Sequence, residues 1–236
     1  MSPTNFSLSV VLPVFNERET IEPVLKEWIA QLDRCKIEYK VILCEDGSTD
    51  GTTEHLRKIQ KKYGFILDHK DTRRGYGGAV IDGIRQAPTT HILSIDSDGQ
   101  CDPKDLPKFL KNRHRADVLI GWRTNRADAL QRKIFSGSFH TYFHLLFPTF
   151  VHDPSAPFVL YPKALAMKHL EDLKFLREGF WWGFVGMCVK RGYSLFELPM
   201  NHRPRLAGDT QVYHLKKIPD IALRNAIGLW KLRMAN

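Results

Sequence analysis

The chain has 236 residues, of which 43% are hydrophobic and 26% charged, and a formal net charge of +9. That is ordinary globular material, long enough for one large α/β domain with a full core. Its basic excess points to an anionic partner, whether nucleotide phosphates, nucleic acid or a membrane surface, and composition does not choose among them.

Leu8 to Val14 is a continuous apolar run that ends in Pro13-Val14-Phe15-Asn16-Glu17. Beyond it Thr20, Ile21, Val24, Leu25, Trp28, Ile29 and Leu32 recur at helical spacing, which predicts strand, loop, helix. Lys40 to Cys44 is the second strand, followed by the turn-rich loop Glu45-Asp46-Gly47-Ser48-Thr49-Asp50-Gly51. Thr52 or Thr53 then caps a helix carrying Leu56, Ile59 and Tyr63. Phe65-Ile66-Leu67 is a third strand leading into the basic glycine loop Arg73-Arg74-Gly75-Tyr76-Gly77-Gly78 and another helix. The fourth strand, His91 to Ile95, runs into Asp96-Ser97-Asp98-Gly99-Gln100. Pro103 opens a helix with Leu106, Phe109 and Leu110, and Asp117 to Ile120 is the fifth strand.

Two carboxylates one residue apart at the mouth of a buried strand repel each other unless a cation or a donor compensates them. With the side-chain amide of Gln100 close by, Asp96 and Asp98 suit Mg²⁺ or Mn²⁺, ions usually shared with substrate phosphates. On this stretch alone, a pair that merely caps the loop before Pro103 explains it equally well. The wider pattern separates the readings. Strands alternating with helices imply right-handed βαβ units and a parallel sheet, whose ligands bind off the carboxyl ends of the strands. Asn16-Glu17, Glu45-Asp46 and Asp96-Asp98 therefore gather on one rim, and the glycine loop brings basic side chains and backbone N–H groups to it.

Leu12-Pro13-Val14-Phe15-Asn16-Glu17, Glu45-Asp46-Gly47-Ser48-Thr49-Asp50-Gly51-Thr52, Asp96-Ser97-Asp98-Gly99-Gln100 and Gly121-Trp122-Arg123 occur in the order and spacing of family 2 glycosyltransferases. Over residues 7 to 212 the chain most resembles the dolichyl- or polyprenyl-phosphate mannose or glucose synthase branch. The resemblance implies a GT-A fold, a Rossmann-like, mostly parallel sheet flanked by helices. It implies a GDP- or UDP-sugar donor on Pro13, Phe15, Glu17 and Asp46, with Asp96, Asp98 and Gln100 around the metal. Asp153 matches the aspartate of the branch, but Pro157 and Val159 depart from the segment that follows it, and Gly183 stands where a glutamate is usual. Arg205 matches the arginine of the family's closing loop. Arg123, Arg132 and Arg205 are candidates for holding the acceptor phosphate or leaving diphosphate, because guanidinium groups bind phosphate oxygens bidentately. Asp153 is a candidate for orienting the sugar or acceptor, and would have to act as base for an alcohol acceptor.

Residues 1–212 are expected to form the catalytic domain and 213–236 a basic amphipathic helix. That helix would carry Ile218, Ile221, Ala222, Ala226, Leu229 and Trp230 on one stripe, beside Lys216, Lys217, Arg224, Lys231 and Arg233. Ile134 to Val151 is aromatic but too polar to span a bilayer, and fits either the headgroup plane or a helix covering the core; within it His140 and His144 are one helical turn apart. No run reaches the roughly 18 apolar residues of a membrane span. No signal peptide is read at the N-terminus, and four cysteines without metal spacing fit a reduced, cytosolic setting. The expected protein is thus a metal-dependent glycosyltransferase, peripheral on the cytosolic face of a membrane. Its partners would be a nucleotide-sugar donor, a lipid-phosphate acceptor and an anionic membrane surface, with no nucleic acid. The alternatives are a family 2 enzyme acting on a soluble or polysaccharide acceptor and a noncatalytic nucleotide-sugar-binding module.

Overall fold

Every residue of β1 (Ser7–Val14) is buried. A continuous apolar run becomes such a strand when it has parallel neighbours on both edges and helices on both faces. The computed structural model describes residues 6–124, 139–173, 176, 179–206 and 218–235. After β1 come β2 (Glu38–Asp46), β3 (Ile66–Lys70), β4 (His91–Ser94), β5 (Val118–Arg123), β6 (Val159–Pro162) and β7 (Leu195–Met200). They form one seven-stranded sheet in the order β3-β2-β1-β4-β6-β5-β7. The helices are α1 (Ile21–Cys35), α2 (Thr52–Tyr63), α3 (Tyr76–Gln86), α4 (Leu106–Asn112), residues 139–146 (α5), α6 (Lys163–Lys168), α7 (Phe180–Lys190) and α8 (Ile218–Met234).

The alternation of side chains along β1 sorts the helices into two layers. Val10, Leu12 and Val14 face a core with Val24, Leu25 and Trp28 of α1, Leu56 of α2 and Phe109 of α4. Val11 faces the other core, with Val80 and Ile84 of α3, Phe143 and Phe147 near α5, and Phe184 of α7. On this second face α3 lies so close to the sheet that a Cβ on Gly83 would come within 2.4 Å of Val11 Cγ1 and 2.7 Å of Cys44 Sγ.

The sheet departs from the expected five parallel strands at one side. β6 runs antiparallel between β4 and β5, pairing Leu93 with Leu160 and Ile120 with Val159, and β7 adds parallel to β5. A four-residue strand directly after a Pro- and Ser-rich turn carries too little periodicity to be read locally. Val159, one of the two departures from the branch pattern, is the first residue of that strand and fully buried. The expected cap on α2 also differs. Gly51, at φ 87°, occupies the cap position, Asp50 Oδ1 accepts from Thr52 N at 3.0 Å, and the Thr52 hydroxyl accepts from Glu17 N at 3.0 Å.

The last helix is apolar on two faces rather than one. Ile221, Leu229 and Leu232 turn inward, the last two joining the core with α7. Leu223, Ile227, Trp230 and Met234 turn outward. The described part of the aromatic segment behaves similarly: Phe143, Phe147 and Val151 enter the core, while Leu145 and Phe150 stay exposed.

Candidate active site

The loops after β1, β2 and β4 meet around one open cleft. Pro13, Val14, Phe15, Glu17, Asp46, Arg73, Tyr76, Ala79, Asp96, Ser97, Asp98 and Arg205 line it. The first two loops are bolted together. Asn16, in the left-handed region at φ 55°, accepts from Thr49 N at 2.8 Å through Oδ1, and its own N–H donates to Ser48 Oγ at 2.9 Å. Asparagine tolerates that backbone better than most residues, so Glu17 is presented to the cleft at modest cost.

Asp46 organises the glycine loop. Its Oδ1 accepts from Arg74 N at 2.7 Å and its Oδ2 from Gly75 N at 2.9 Å. These two amides are therefore committed to Asp46 rather than bare. Gly75 has φ 82° and ψ 166°, a conformation essentially restricted to glycine, and it delivers Tyr76 as the first residue of α3. Arg74 itself turns inward to Asp68, Asp82 and the carbonyl of Glu45. Arg73 turns outward, with its guanidinium carbon 3.7 Å from the centroid of Phe15 at the cleft wall.

Asp96 and Asp98 sit where β4 stops. The hydroxyl of Tyr76 donates to Asp96 Oδ1 at 2.8 Å, and Trp181 Nε1 donates to that hydroxyl at 2.7 Å. Asp98 Oδ1 accepts from Gln100 N at 3.0 Å, while its Oδ2 pairs with Arg205 Nη2 at 2.8 Å. Arg205 also reaches Glu17 Oε1 at 3.4 Å. Its placement follows from the backbone: residues 201–206 run beside 98–101, with Arg203 N donating to Gln100 O at 2.9 Å and Leu206 N to Asp98 O at 3.3 Å. Burial, then the charge of Asp98, push the Asp96 carboxyl well above the usual carboxylate range against the Tyr76 hydrogen bond. Glu17 is raised by burial as well, although its bond to Thr20 and the charge of Arg205 oppose it.

This donor set fits a divalent cation shared with a substrate. Two carboxylates project into an open cleft, and no group of three or more His, Cys, Asp or Glu among the described residues forms a closed cage. Mg²⁺ and Mn²⁺ commonly take one or two carboxylates and fill the remaining positions with water and phosphate oxygens.

The structure thus brings Pro13, Phe15, Glu17, Asp46, Asp96, Asp98 and Arg205 together, and leaves other candidates outside the cleft wall. Gln100 gives its side-chain Nε2 to the carbonyl of Arg203 at 3.3 Å and its backbone N–H to Asp98 Oδ1 at 3.0 Å, and it is not among the residues that line the cleft. Arg123 is turned onto Asp153 and Ser155, and neither Arg123 nor Asp153 is among the residues that line the cleft, although the charge of Arg123 still acts on Asp96. Arg132 lies outside the described residues. His140 and His144 face each other, Nε2 to Nε2 at 3.1 Å, with His140 also 3.1 Å from the carbonyl of His152. Burial, followed by the His140 ring, holds His144 below the usual imidazole range. At Gly183 a Cβ would meet Leu176 Cδ1 at 2.3 Å, so the Leu176 side chain fills the space a larger residue would need. Arg73 was expected at the rim only as one of the basic side chains of the glycine loop, and Tyr76 and Trp181 were not singled out by sequence. The aromatic residue inside the glycine loop was the available signal for Tyr76, and Trp181 is indistinguishable in sequence from its core neighbours.

The family profile described as Glycosyl transferase family 2 matches residues 9–169. Dodecaprenyl-phosphate galacturonate synthase of Rhizobium johnstonii is 35% identical over 130 residues, covering 53% of this chain and 38% of that protein. Undecaprenyl-phosphate 4-deoxy-4-formamido-L-arabinose transferase of Aeromonas hydrophila subsp. hydrophila is 34% identical over 140 residues, covering 58% of this chain and 43% of that protein. The matched segment is thus less than half the length of either relative. In fold, the chain is similar to glucosyl-3-phosphoglycerate synthase from Mycobacterium tuberculosis, solved with Mn²⁺, uridine diphosphate and phosphoglyceric acid. That similarity has a TM-score of 0.71 at 18% identity, over 97% of this chain and 78% of the other.

Proposed function

The chain belongs to glycosyl transferase family 2, and from that premise we propose that it moves a hexose from a nucleotide sugar to a polyprenyl phosphate at the cytosolic face of a membrane. One observation carries the donor half: Glu17, Asp46, Asp96, Asp98 and Arg205, drawn from four separate loops, converge on a single cleft. Asp96 and Asp98 would hold Mg²⁺ or Mn²⁺, which when bound stabilises the negative charge of the leaving nucleoside diphosphate. Arg205 adds a guanidinium beside the same charge. Arg73 lying over Phe15 offers a flat, cationic wall for the nucleoside end of the donor.

Two features favour a phosphate as acceptor. A phosphate nucleophile is already an anion and needs no base, whereas an alcohol does. Asp153, the carboxylate expected to serve as that base, has both oxygens occupied by Arg123. The relatives whose names specify dodecaprenyl- and undecaprenyl-phosphate support the lipid portion of the reading. So does the outer face of α8, where Leu223, Ile227, Trp230 and Met234 fall on one stripe with Arg224 and Lys231 to one side and Arg233 to the other. That pattern suits an anionic bilayer surface, into which the stripe would sink while the cations meet headgroups. No helix among the described residues is long and apolar enough to cross a membrane.

The direct experiment incubates the purified protein with UDP- and GDP-sugars, Mn²⁺ and polyprenyl phosphate, and follows sugar in the lipid phase. Transfer to the lipid is the expected result. Transfer only to a soluble acceptor such as a phosphorylated small molecule overturns the lipid reading, and donor binding without turnover to any acceptor overturns the catalytic one.

A further inference from the structure

We infer that Tyr76 and Trp181 are positioning residues for the cation site, forming a one-way hydrogen-bond relay that presents Asp96 to the metal as an oriented carboxylate. The inference rests on the proposed role of Asp96 and Asp98 and deepens it. Its direction follows from the donor inventory of the two side chains. An indole N–H can only donate, so Trp181 Nε1 occupies the acceptor side of the Tyr76 oxygen at 2.7 Å. A phenol has one hydrogen, and with the indole in place that hydrogen goes to Asp96 Oδ1 at 2.8 Å. Trp181 is only 5% exposed and packs edge-on to both Phe180 and Phe184, so the indole cannot swing away from the hydroxyl.

The relay fixes the carboxylate plane. Asp96 Oδ2 and the second lone pair of Oδ1 remain for the cleft, which is what a cation shared with a diphosphate requires. Tyr76 is fixed from the other side too, because Asp46 holds Gly75 N at 2.9 Å and so sets the start of α3. A second-sphere donor of this kind typically governs 10- to 100-fold in metal affinity, through ligand orientation and charge stabilisation.

The test measures Mn²⁺ binding by titration calorimetry and by the electron paramagnetic resonance signal of free Mn²⁺, with and without UDP, in the parent, Tyr76→Phe, Trp181→Phe and the double variant. Thermal unfolding without metal is recorded in parallel. Tyr76→Phe is expected to weaken Mn²⁺ about tenfold or more, and Trp181→Phe by less. The double variant should be no weaker than Tyr76→Phe, because without the hydroxyl the indole has nothing to direct. A metal-free melting temperature that falls while Mn²⁺ affinity holds in Tyr76→Phe overturns the relay and leaves the tyrosine a packing residue. Additive losses in the double variant overturn the one-way direction. A parent that binds no Mn²⁺ even with UDP overturns the metal reading itself, and the relay with it.

Discussion

Arg123 and Asp153 grip each other through two parallel hydrogen bonds, Nε to Oδ2 at 2.7 Å and Nη2 to Oδ1 at 2.8 Å. Their side chains are 11% and 6% exposed, and Ser155 Oγ accepts from the same Nη2 at 2.8 Å. The pair joins the end of β5 to the turn that leads into β6, so it braces the part of the sheet where strand direction reverses. Removing one partner of a buried, hydrogen-bonded pair strands the other charge. Arg123→Ala or Asp153→Ala is therefore expected to cost on the order of 3–5 kcal/mol in chemical denaturation. Folded Asp153→Asn should still bind Mn²⁺ and UDP as the parent does, which calorimetry would register.

The two cleft carboxylates behave differently from that pair, since nothing opposite them is a dedicated partner for both. Asp98→Ala should weaken Mn²⁺ by roughly 100-fold or more, beyond what a second-sphere change produces. Unchanged Mn²⁺ affinity in the folded variant would remove Asp98 from the cation site.

Acid should weaken cation binding well above the ordinary carboxylate range. Burial and the neighbouring Asp98 raise the Asp96 carboxyl, so a proton would compete with the proposed metal there as pH falls. For the metal-free fold the sign is opposite. A raised carboxyl binds its proton more tightly folded than unfolded, so its contribution to stability grows as pH falls toward about 4, the ordinary value at which the unfolded chain also protonates. Elsewhere the shift reverses. At Glu45, burial is overridden by hydrogen bonds from Ser48 and His69, and at Asp82 by Arg74. Both carboxyls are held low, so their stabilisation is present above about pH 4 and is lost as pH falls through their folded values. Melting curves without metal are expected to peak in mild acid, and added Mn²⁺ should move the peak toward neutrality.

Arg205 stands on the oxygen of Asp98 that a cation would approach, at 2.8 Å. In Arg205→Ala, Mn²⁺ without donor should bind about two- to fivefold more tightly, the worth of a partly exposed ion pair. Turnover should fall all the same, because the guanidinium proposed to assist the leaving diphosphate is gone. Parallel loss of Mn²⁺ affinity and turnover would contradict this competition.

Gly83→Ala places a methyl against Val11 and Cys44, both fully buried. Overpacking of this kind typically costs about 1–3 kcal/mol, a fall of several degrees in melting temperature for a domain of this size.

The cleft was legible in the sequence because its acidic residues come from loops that follow strands in a repeating strand-helix order, and that order alone assigns them to one rim. Glu17, Asp46, Asp96 and Asp98 needed no knowledge of side-chain contacts. Gln100, Arg123 and Asp153 did: whether an amide or a guanidinium turns toward a cleft or toward a neighbour depends on partners far along the chain. Gln100 meets Arg203, and Arg123 meets Asp153 and Ser155. The relay through Tyr76 and Trp181 was hidden for the same reason, since it joins the first turn of α3 to the first turn of α7. In α8 the periodic pattern identified the helix. It assigned the apolar residues to one stripe because two opposed apolar faces share a single 3.6-residue period.

The insertion of β6 between β4 and β5 also sets an order of events during synthesis. β1 to β4 can pair as soon as they emerge, but the outer edge of β4 has no mate until Val159–Pro162 is made. Ser94, at that edge, lies two residues before Asp96. A nascent or truncated chain ending before β6 therefore displays an open strand beside a half-built cleft, which is the state most exposed to misassembly and to chaperones.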